Sequence, residues 1–563
     1  MRKLVVPLVT VAFLLVAVWA LLGDGSASVY ADPDIIYVSL DCSAAPGYCT
    51  TLQNAVGAAS SGDEIHIAGG TYTGQANDKE VLRIIHLDKI LTLRGGYSND
   101  FTVRDSDLYP TILDGEGERR GLYVGPGVTV TLDGLHVING NAEGLGGEGD
   151  SINDDVGGGL YADQTNLTVQ NCRFSENVAD DGGGLYLRDS TVTISDTSIC
   201  SNTAHFDTSG DFGGGEGGGL FLWSGDLALH GNTFFGNVAD SMGGGAALYG
   251  TELTLTDNRV YSNAAPSAGS GWLVSGGPVS LHRNWFYHNG PANGLFLRNS
   301  SADQVNNVFV GNWPGGVTLS GTEARFRHTT IADNADFGLS AGSSGQLFSD
   351  VVLTNTIASG NGVGVRAYYG GAITLTATLW DNVTNTLEKW EGRVFVGDGS
   401  YSGDPAFADV AAGDVHIRPT SAAVGRGVDV QVSDDLDGDP RPHGAAPDLG
   451  ADEYHPEPVD GVAVEGPAVG LAGVGTSFTA IVTPTTAMVP ITYTWRATGQ
   501  ASQTDLVSET SDSVVFTWAL TGTETVTVTV GNGYGDVMSD VHRLEIHPVR
   551  GRVYLPLVVR GNR

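Results

Sequence analysis

At 563 residues the chain is long for one compact globule, so several units or one extended repeat are expected. It carries 28 Lys+Arg against 64 Asp+Glu, a net charge of −36 that repels nucleic acid and anionic membrane alike. Glycine is abundant at 81 residues, and the 41% hydrophobic residues fall in short regular runs, which excludes a disordered chain and favours an all-β fold with many tight turns.

Residues 1–31 read as an export signal. Met1-Arg2-Lys3 is a basic start, Leu4 to Gly23 is uncharged, and Val29-Tyr30-Ala31 before Asp32 fits a small-residue cleavage site. The apolar run is also long enough to span a bilayer, so an uncleaved anchor is the alternative and the only membrane contact expected. Either way the bulk of the chain belongs outside the cytoplasm, secreted or at the cell surface. Cys42 and Cys49 can close a small loop in an oxidising space, whereas Cys172 and Cys200 sit in different registers and stay unpaired.

Residues 32–456 carry one repeat. Leu52, Ala55, Val56 and Ala59 share one helical face after Thr50/Thr51, predicting a short capping helix, followed by a strand at Glu64-Ile65-His66-Ile67. Further on, Gly182-Gly183-Gly184-Leu185-Tyr186, Gly217-Gly218-Gly219-Leu220-Phe221 and Gly243-Gly244-Gly245-Ala246-Ala247 each precede an alternating apolar run that ends in an Asn. These Asn are residues 141, 177, 202, 237, 263, 289, 312, 334, 361 and 382, mostly about 21–27 residues apart, the period of a solenoid coil. Three positions earlier stand Ile138, Phe174, Ile199, Phe234, Val260, Phe286, Phe309, Ile331, Ala358 and Leu379, all apolar. One residue type at one register predicts a stacked internal column, with the Asn amides as a second column bonding from coil to coil. The glycine triplets mark the opposite corner. Coils stacked at about 4.8 Å give about ten layers in a rod of about 50 Å. No stretch shows the 3.6-residue stripe of a helical solenoid. The segment from about Ser400 to Tyr454 loses the repeat and is expected to close the far end of the stack, which would otherwise expose an open edge.

Several motifs carry resemblances. Thr50 to Tyr72, with "GDEIHIAGGTY", looks like the first coil of secreted pectin-lyase-like right-handed parallel β-helix proteins. The GGGLY runs with Phe174-Ser175-Glu176-Asn177, Phe234-Phe235-Gly236-Asn237 and Phe286-Tyr287-His288-Asn289 resemble the repeats of polymorphic outer-membrane adhesins. Asp437-Gly438-Asp439-Pro440-Arg441-Pro442 and Asp448-Leu449-Gly450-Ala451-Asp452-Glu453 resemble the end of bacterial surface β-helix proteins of the "choice-of-anchor" kind. The resemblance implies a right-handed parallel β-helix over residues 32–456; it implies no single chemistry, since this fold hosts lyases, hydrolases, epimerases and adhesins.

Residues 459–547 change to Thr/Val alternation, as in Thr525-Val526-Thr527-Val528-Thr529-Val530, predicting a small β-sandwich with Trp495 in its core. Gly522 to Gly535 resembles the end of a PKD-type domain, but Trp495-Arg496-Ala497-Thr498-Gly499 replaces the family's usual turn, so the module is Ig-like or PKD-like. The tail 548–563, with Val553-Tyr554-Leu555-Pro556-Leu557-Val558-Val559, is a sorting signal or an added edge strand.

Catalytic templates are scarce. There is no Gly-x-Ser-x-Gly elbow, phosphate loop, His-Glu-x-x-His or repeated Gly-Gly-x-Gly-x-Asp nonapeptide, and of the polygalacturonase motifs only Asp pairs occur. One constellation stands out. A loop from Ala142 to Val156 carries Asp150, Asp154 and Asp155, and a loop from Thr203 to Glu216 carries His205, Asp207, Asp211 and Glu216. Between them lies the short turn with Asp180 and Asp181, and all three leave the same corner of successive coils. The readings are solvated acidic loops, a Ca²⁺ site at Asp150, Asp154, Asp180 and Asp181, or acid/base carboxylates for sugar chemistry at Asp154, Asp155, Asp180 and Asp181. Asp207 and Asp211 are candidate ligand contacts. The run Asp434 to Asp439 is a cap turn or a Ca²⁺ loop. Arg173, Arg188 and Arg259 are expected to face solvent. Trp285 and Tyr287 flank the inward Phe286, so both should point outward, where aromatic rings suit sugars. The expected function is adhesion or glycan binding by an exported protein, with a polysaccharide, a cell-surface glycan or other surface proteins as partners. A secreted polysaccharide lyase or hydrolase is the alternative, and Ca²⁺ is the one cofactor considered.

Overall fold

Alternation along each strand sends every second side chain to the axis, and the coils close around them. The computed structural model describes residues 34–41, 51–74, 83–145, 155–205 and 214–549. The export segment, Cys42, Cys49, Asp150, Asp154, Asp207, Asp211 and the tail from residue 550 lie outside the described residues. The coils repeat one three-sided path. Trp272–Ser275, Pro278–His282 and Trp285–Tyr287 form one coil and pair in parallel with Leu295–Arg298, Ser301–Val305 and Val308–Val310 of the next. The stack therefore has three faces, called first, second and third in the order the chain meets them. Rungs already occur ahead of the Asn repeat, at Ile35–Val38, Glu64–Ala68 and Leu91–Tyr97. The predicted capping helix spans Leu52–Ala58; the Thr51 side chain accepts from Asn54 N at 3.1 Å, and Leu52, Ala55 and Val56 are buried.

The interior is a continuous apolar column. Phe174, Ile199, Phe234, Val260, Phe286, Phe309, Ile331 and Ala358 follow one another in register. Two residues of the expected column stand elsewhere. Phe174 pairs with Val137, so Ile138 falls outside the column, and Ala358 pairs with Trp380, so Leu379 points outward. A one-residue slip turns a side chain to the other face of a strand.

The Asn column bonds as expected from Asn177 to Asn382, each Nδ2 donating to the next Oδ1 at 2.9–3.1 Å. Each Nδ2 also reaches a carbonyl of the coil behind, as Asn237 does to Ile199 O at 2.8 Å. Asn141 is not a member. Gly140 holds its register and donates its N–H to Asn177 Oδ1, while Asn141 closes a local turn onto Glu143 N. A second amide column, Asn232–Asn258–Asn284–Asn307, lines the corner between the second and third faces at 2.9–3.1 Å. At the opposite corner Gly182, Gly217 and Gly243 have φ of 61°, 67° and 66°. A Cβ on Gly184 would sit 2.4 Å from the Gly219 carbonyl oxygen, so the triplets are required by backbone shape and by close approach.

The segment expected to close the far end of the stack begins with one further rung, Tyr401–Ser402, paired to Leu379 and Trp380. It then turns back as a strap over the outer side of the third face. Val415 and Ala451 pack on Val308, Val310 and Ala332, and Ile417, Ala423 and Leu449 pack on Ile357 and Leu379. The outward Leu379 is thus explained: it is part of the surface the strap covers. Beyond the strap, an antiparallel group of Gly461–Glu465, Thr476–Thr483 and Ser511–Phe516 and a five-stranded sheet containing Ile491–Ala497 and Gly522–Gly531 share one core around the fully buried Trp495.

Candidate functional site

The acidic corner comes together, but as a set of turn fasteners. Asp155 N donates to Asp180 Oδ2 at 3.0 Å, Glu216 N donates to Asp181 Oδ1 at 2.9 Å, and Gly144 N donates to Asp155 Oδ2. Val156, Asp181, Glu216 and Met242 bridge successively from coil to coil. Glu216 is the residue of this corner in the least ordinary surroundings. Its carboxylate takes the Tyr249 hydroxyl, and burial holds its pKa above the usual carboxylate range while the Tyr249 hydrogen bond and Arg298 oppose that rise. Trp223, 54% exposed, lies parallel to Phe221 and tilted against Tyr249.

Trp285 and Tyr287 do point away from the axis, but the strap reaches them. Together with Arg259, Gly413, Asp414, His416 and Asp437 they enclose a half-open cavity of about 230 Å³. Their ring faces are already occupied. Tyr287 stacks on Tyr261 at 4.6 Å, Tyr261 stacks on Phe235 at 5.2 Å, and the Arg259 guanidinium lies over Trp285. Rings repeated at the rung spacing stack on one another, so the cavity is offered edges and polar tips. The buried Trp285 Nε1 has no hydrogen-bond partner.

The far wall is ionic. His416 Nδ1 meets Asp414 and His416 Nε2 meets Asp437 at 2.8 Å. The Asp437 carboxylate, helped by Asp414, raises the imidazole to about 10 against its burial. Asp452, behind it, accepts Ile417 N at 2.6 Å, and burial pushes its carboxyl up to about 7. His416, Asp437 and Asp452 are close enough to hold a metal ion, as are Asp435, Asp439 and His455. Both ring nitrogens of His416 are engaged by Asp414 and Asp437, which knits the first group into an ion network. Asp435 is committed to a turn, its Oδ1 accepting Asp437 N and Asp439 N at 2.9 Å. The run Asp434 to Asp439 is accordingly a fastening turn of the strap.

Deeper still, Arg441 is fully enclosed. It pairs with Glu453 at 3.1 Å, donates to the carbonyls of Asp448 and Ala451, and lies 2.7 Å from His328 Nδ1. Burial first, then the Arg441 charge, press His328 down to about 3. Arg188, expected in solvent, is instead forked onto Asp163 through two bonds of 2.7 Å.

Residues 134–331 and 219–379 match the family model described as right handed beta helix region. The coils are a right-handed parallel β-helix. No curated protein matches the chain by sequence. Among solved structures, a mutant of the periplasmic alginate epimerase AlgG aligns over 59% of this chain and 85% of its own, at 13% identity and a TM-score of 0.34, too low to carry anything over to this β-helix.

Three features of the molecule escaped the sequence: the Trp285 cavity's ionic wall, the second Asn column and the buried Arg441. The Asn column had a signal, an Asn two residues before each of Val260, Phe286 and Phe309. His416 had none, because its partners Trp285 and Asp437 meet it only when the strap folds back.

Proposed function

We propose that the chain is an exported protein, secreted or held at the cell surface, whose β-helix binds a glycan, with the Trp285 cavity as a sugar subsite. One observation carries this reading. A half-open cavity of about 230 Å³ brings together the edges of Trp285 and Tyr287, the Arg259 guanidinium and the carboxylates of Asp414 and Asp437, the mixture of apolar edge, donor and acceptor that a sugar ring and its hydroxyls satisfy. The acidic chain and the apolar N-terminal segment support an extracytoplasmic setting, and the C-terminal Ig-like or PKD-like module serves as a spacer. Titration calorimetry with a panel of neutral and acidic oligosaccharides tests it. Trp285→Ala is expected to weaken the best ligand about tenfold, or about 1.4 kcal/mol. An unchanged affinity would sink the assignment of this cavity.

Hydrolysis of a polysaccharide is the second reading, favoured by one residue: Glu216 is a desolvated carboxyl whose partner Tyr249 also touches the exposed Trp223, and a desolvated carboxyl is what a general acid requires. Reducing-end release that disappears in Glu216→Gln would establish it; silence across the panel leaves binding alone.

A further inference from the structure

A second surface of the β-helix bears on what kind of glycan is bound. On the second face, the outward residues form two straight files along the axis. One runs Pro278–Ser301–Glu323–Asp350–Ala372–Arg393, the other Thr254–Ser280–Asp303–Arg325–Val352–Thr374–Phe395. From Glu252 to Asp350 these files floor an open groove of about 780 Å³. Five rungs at the strand spacing give it a length of about 19 Å. Its charges are Glu252, Asp303, Glu323 and Asp350 against Arg325 and Arg327, with Arg327 paired to Asp303 at 2.7 Å.

The corner beside this groove changes near its end. Between Leu295–Arg298 and Ser301–Val305 the first and second faces are joined by two residues, but the last coils spend several more there and place Phe348, Tyr369 and Trp390 on successive turns. Tyr369 and Trp390 stack at 4.7 Å and 15°. A ring inside such a file loses both faces to its neighbours. Trp390 stands on the final coil with no rung after it, and it is 60% exposed; Phe395, ending the second file, is 56% exposed. The strap, which covers the third face, leaves this end uncovered.

We infer that the groove, together with Trp390 on the final coil two rungs beyond its end, binds a neutral, linear polysaccharide lying along the β-helix axis. This rests on the glycan reading above and adds its class. Paired carboxylates and guanidiniums facing solvent in files bond hydroxyls repeated along a chain, and a free indole face takes the apolar side of a sugar ring. The same surplus of carboxylates, on a chain of net charge −36, repels polyuronates. A polypeptide finds no unpaired backbone on the floor of this groove, because every rung from Glu252 to Asp350 is hydrogen-bonded on both sides.

Affinity electrophoresis of the full chain tests this in gels containing a soluble β-glucan, a glucomannan, an α-glucan, alginate or polygalacturonate. At least one neutral polymer is expected to retard the protein, and neither polyuronate. Trp390→Ala and Arg325→Ala should each lower that affinity about tenfold with the melting temperature unchanged, while binding of short oligosaccharides at the Trp285 cavity persists. Retardation by the polyuronates alone, or a Trp390→Ala protein that binds the neutral polymer as before, overturns the proposal. Short oligosaccharides binding with no gain from chain length would remove the groove and leave the cavity; loss of all glycan binding removes both. Sedimentation supplies a further arm: a dimer that dissociates in Trp390→Ala would assign this end to a second copy of the chain.

Discussion

The Asn columns and the strap cluster both bury hydrogen-bonding groups, under opposite rules. Inside the β-helix each amide meets an identical amide above and below, so donors and acceptors match without any charge. Under the strap, Arg441, Glu453, His328 and Asp448 meet once, and their charges must balance in a space that excludes water. The difference is one of tolerance. A repeated neutral column can lose a member and remain a column on both sides of the gap, whereas a single network that loses its cation strands every partner.

The largest expected effect follows from that. Arg441→Ala leaves Glu453 buried and unpaired, and should cost about 3–5 kcal/mol, seen as a lower melting temperature and as exposure of the strap to proteolysis. A loss below 1 kcal/mol would mean that the strap contributes little to the fold. Next comes Asn263→Ala, which removes the acceptor of Asn237 N, one of the two acceptors of Asn237 Nδ2 and a donor to Phe234 O, and should cost about 1–3 kcal/mol. A smaller loss at Asn263 than at the rim residue Asn382 would break the symmetry claimed for the column.

Finer effects lie in the pH dependence. His328, depressed from 6.5 to about 3, contributes stability that is present above pH 6.5 and lost as the pH falls toward 3. Asp452 is raised from 3.8 to about 7, so its contribution is present below 3.8 and lost as the pH rises through 7. Melting curves of His328→Gln should therefore flatten on the acid side, and those of Asp452→Asn between pH 4 and 7. Parallel slopes in the parent and in both variants would remove these two groups from the account.

Legibility in the sequence followed the same divide. The inner column from Phe174 to Ala358 and the Asn column from Asn177 could be read because one residue type returns at one register. Errors fell at the two ends of the repeat, at Ile138, Asn141 and Leu379, where one residue more or less reverses the side of the strand and nothing in the local sequence reports it. The outward direction of Trp285 and Tyr287 followed from strand alternation; the strap over them did not. His416 meets Trp285 across 131 residues and Arg441 meets His328 across 113, and no periodicity encodes a contact made once.

The return path of the strap alters how the rod should come apart. A solenoid held only by neighbouring coils unzips from either end, one layer at a time. Here Asp434 grips Arg283 across 151 residues, and Val428 is clasped by Asn355 across 73. The layers between are splinted from outside. Hydrogen exchange should find the coils from Arg259 to Leu379 opening as one cooperative block, with the layers nearer the N-terminus fraying independently.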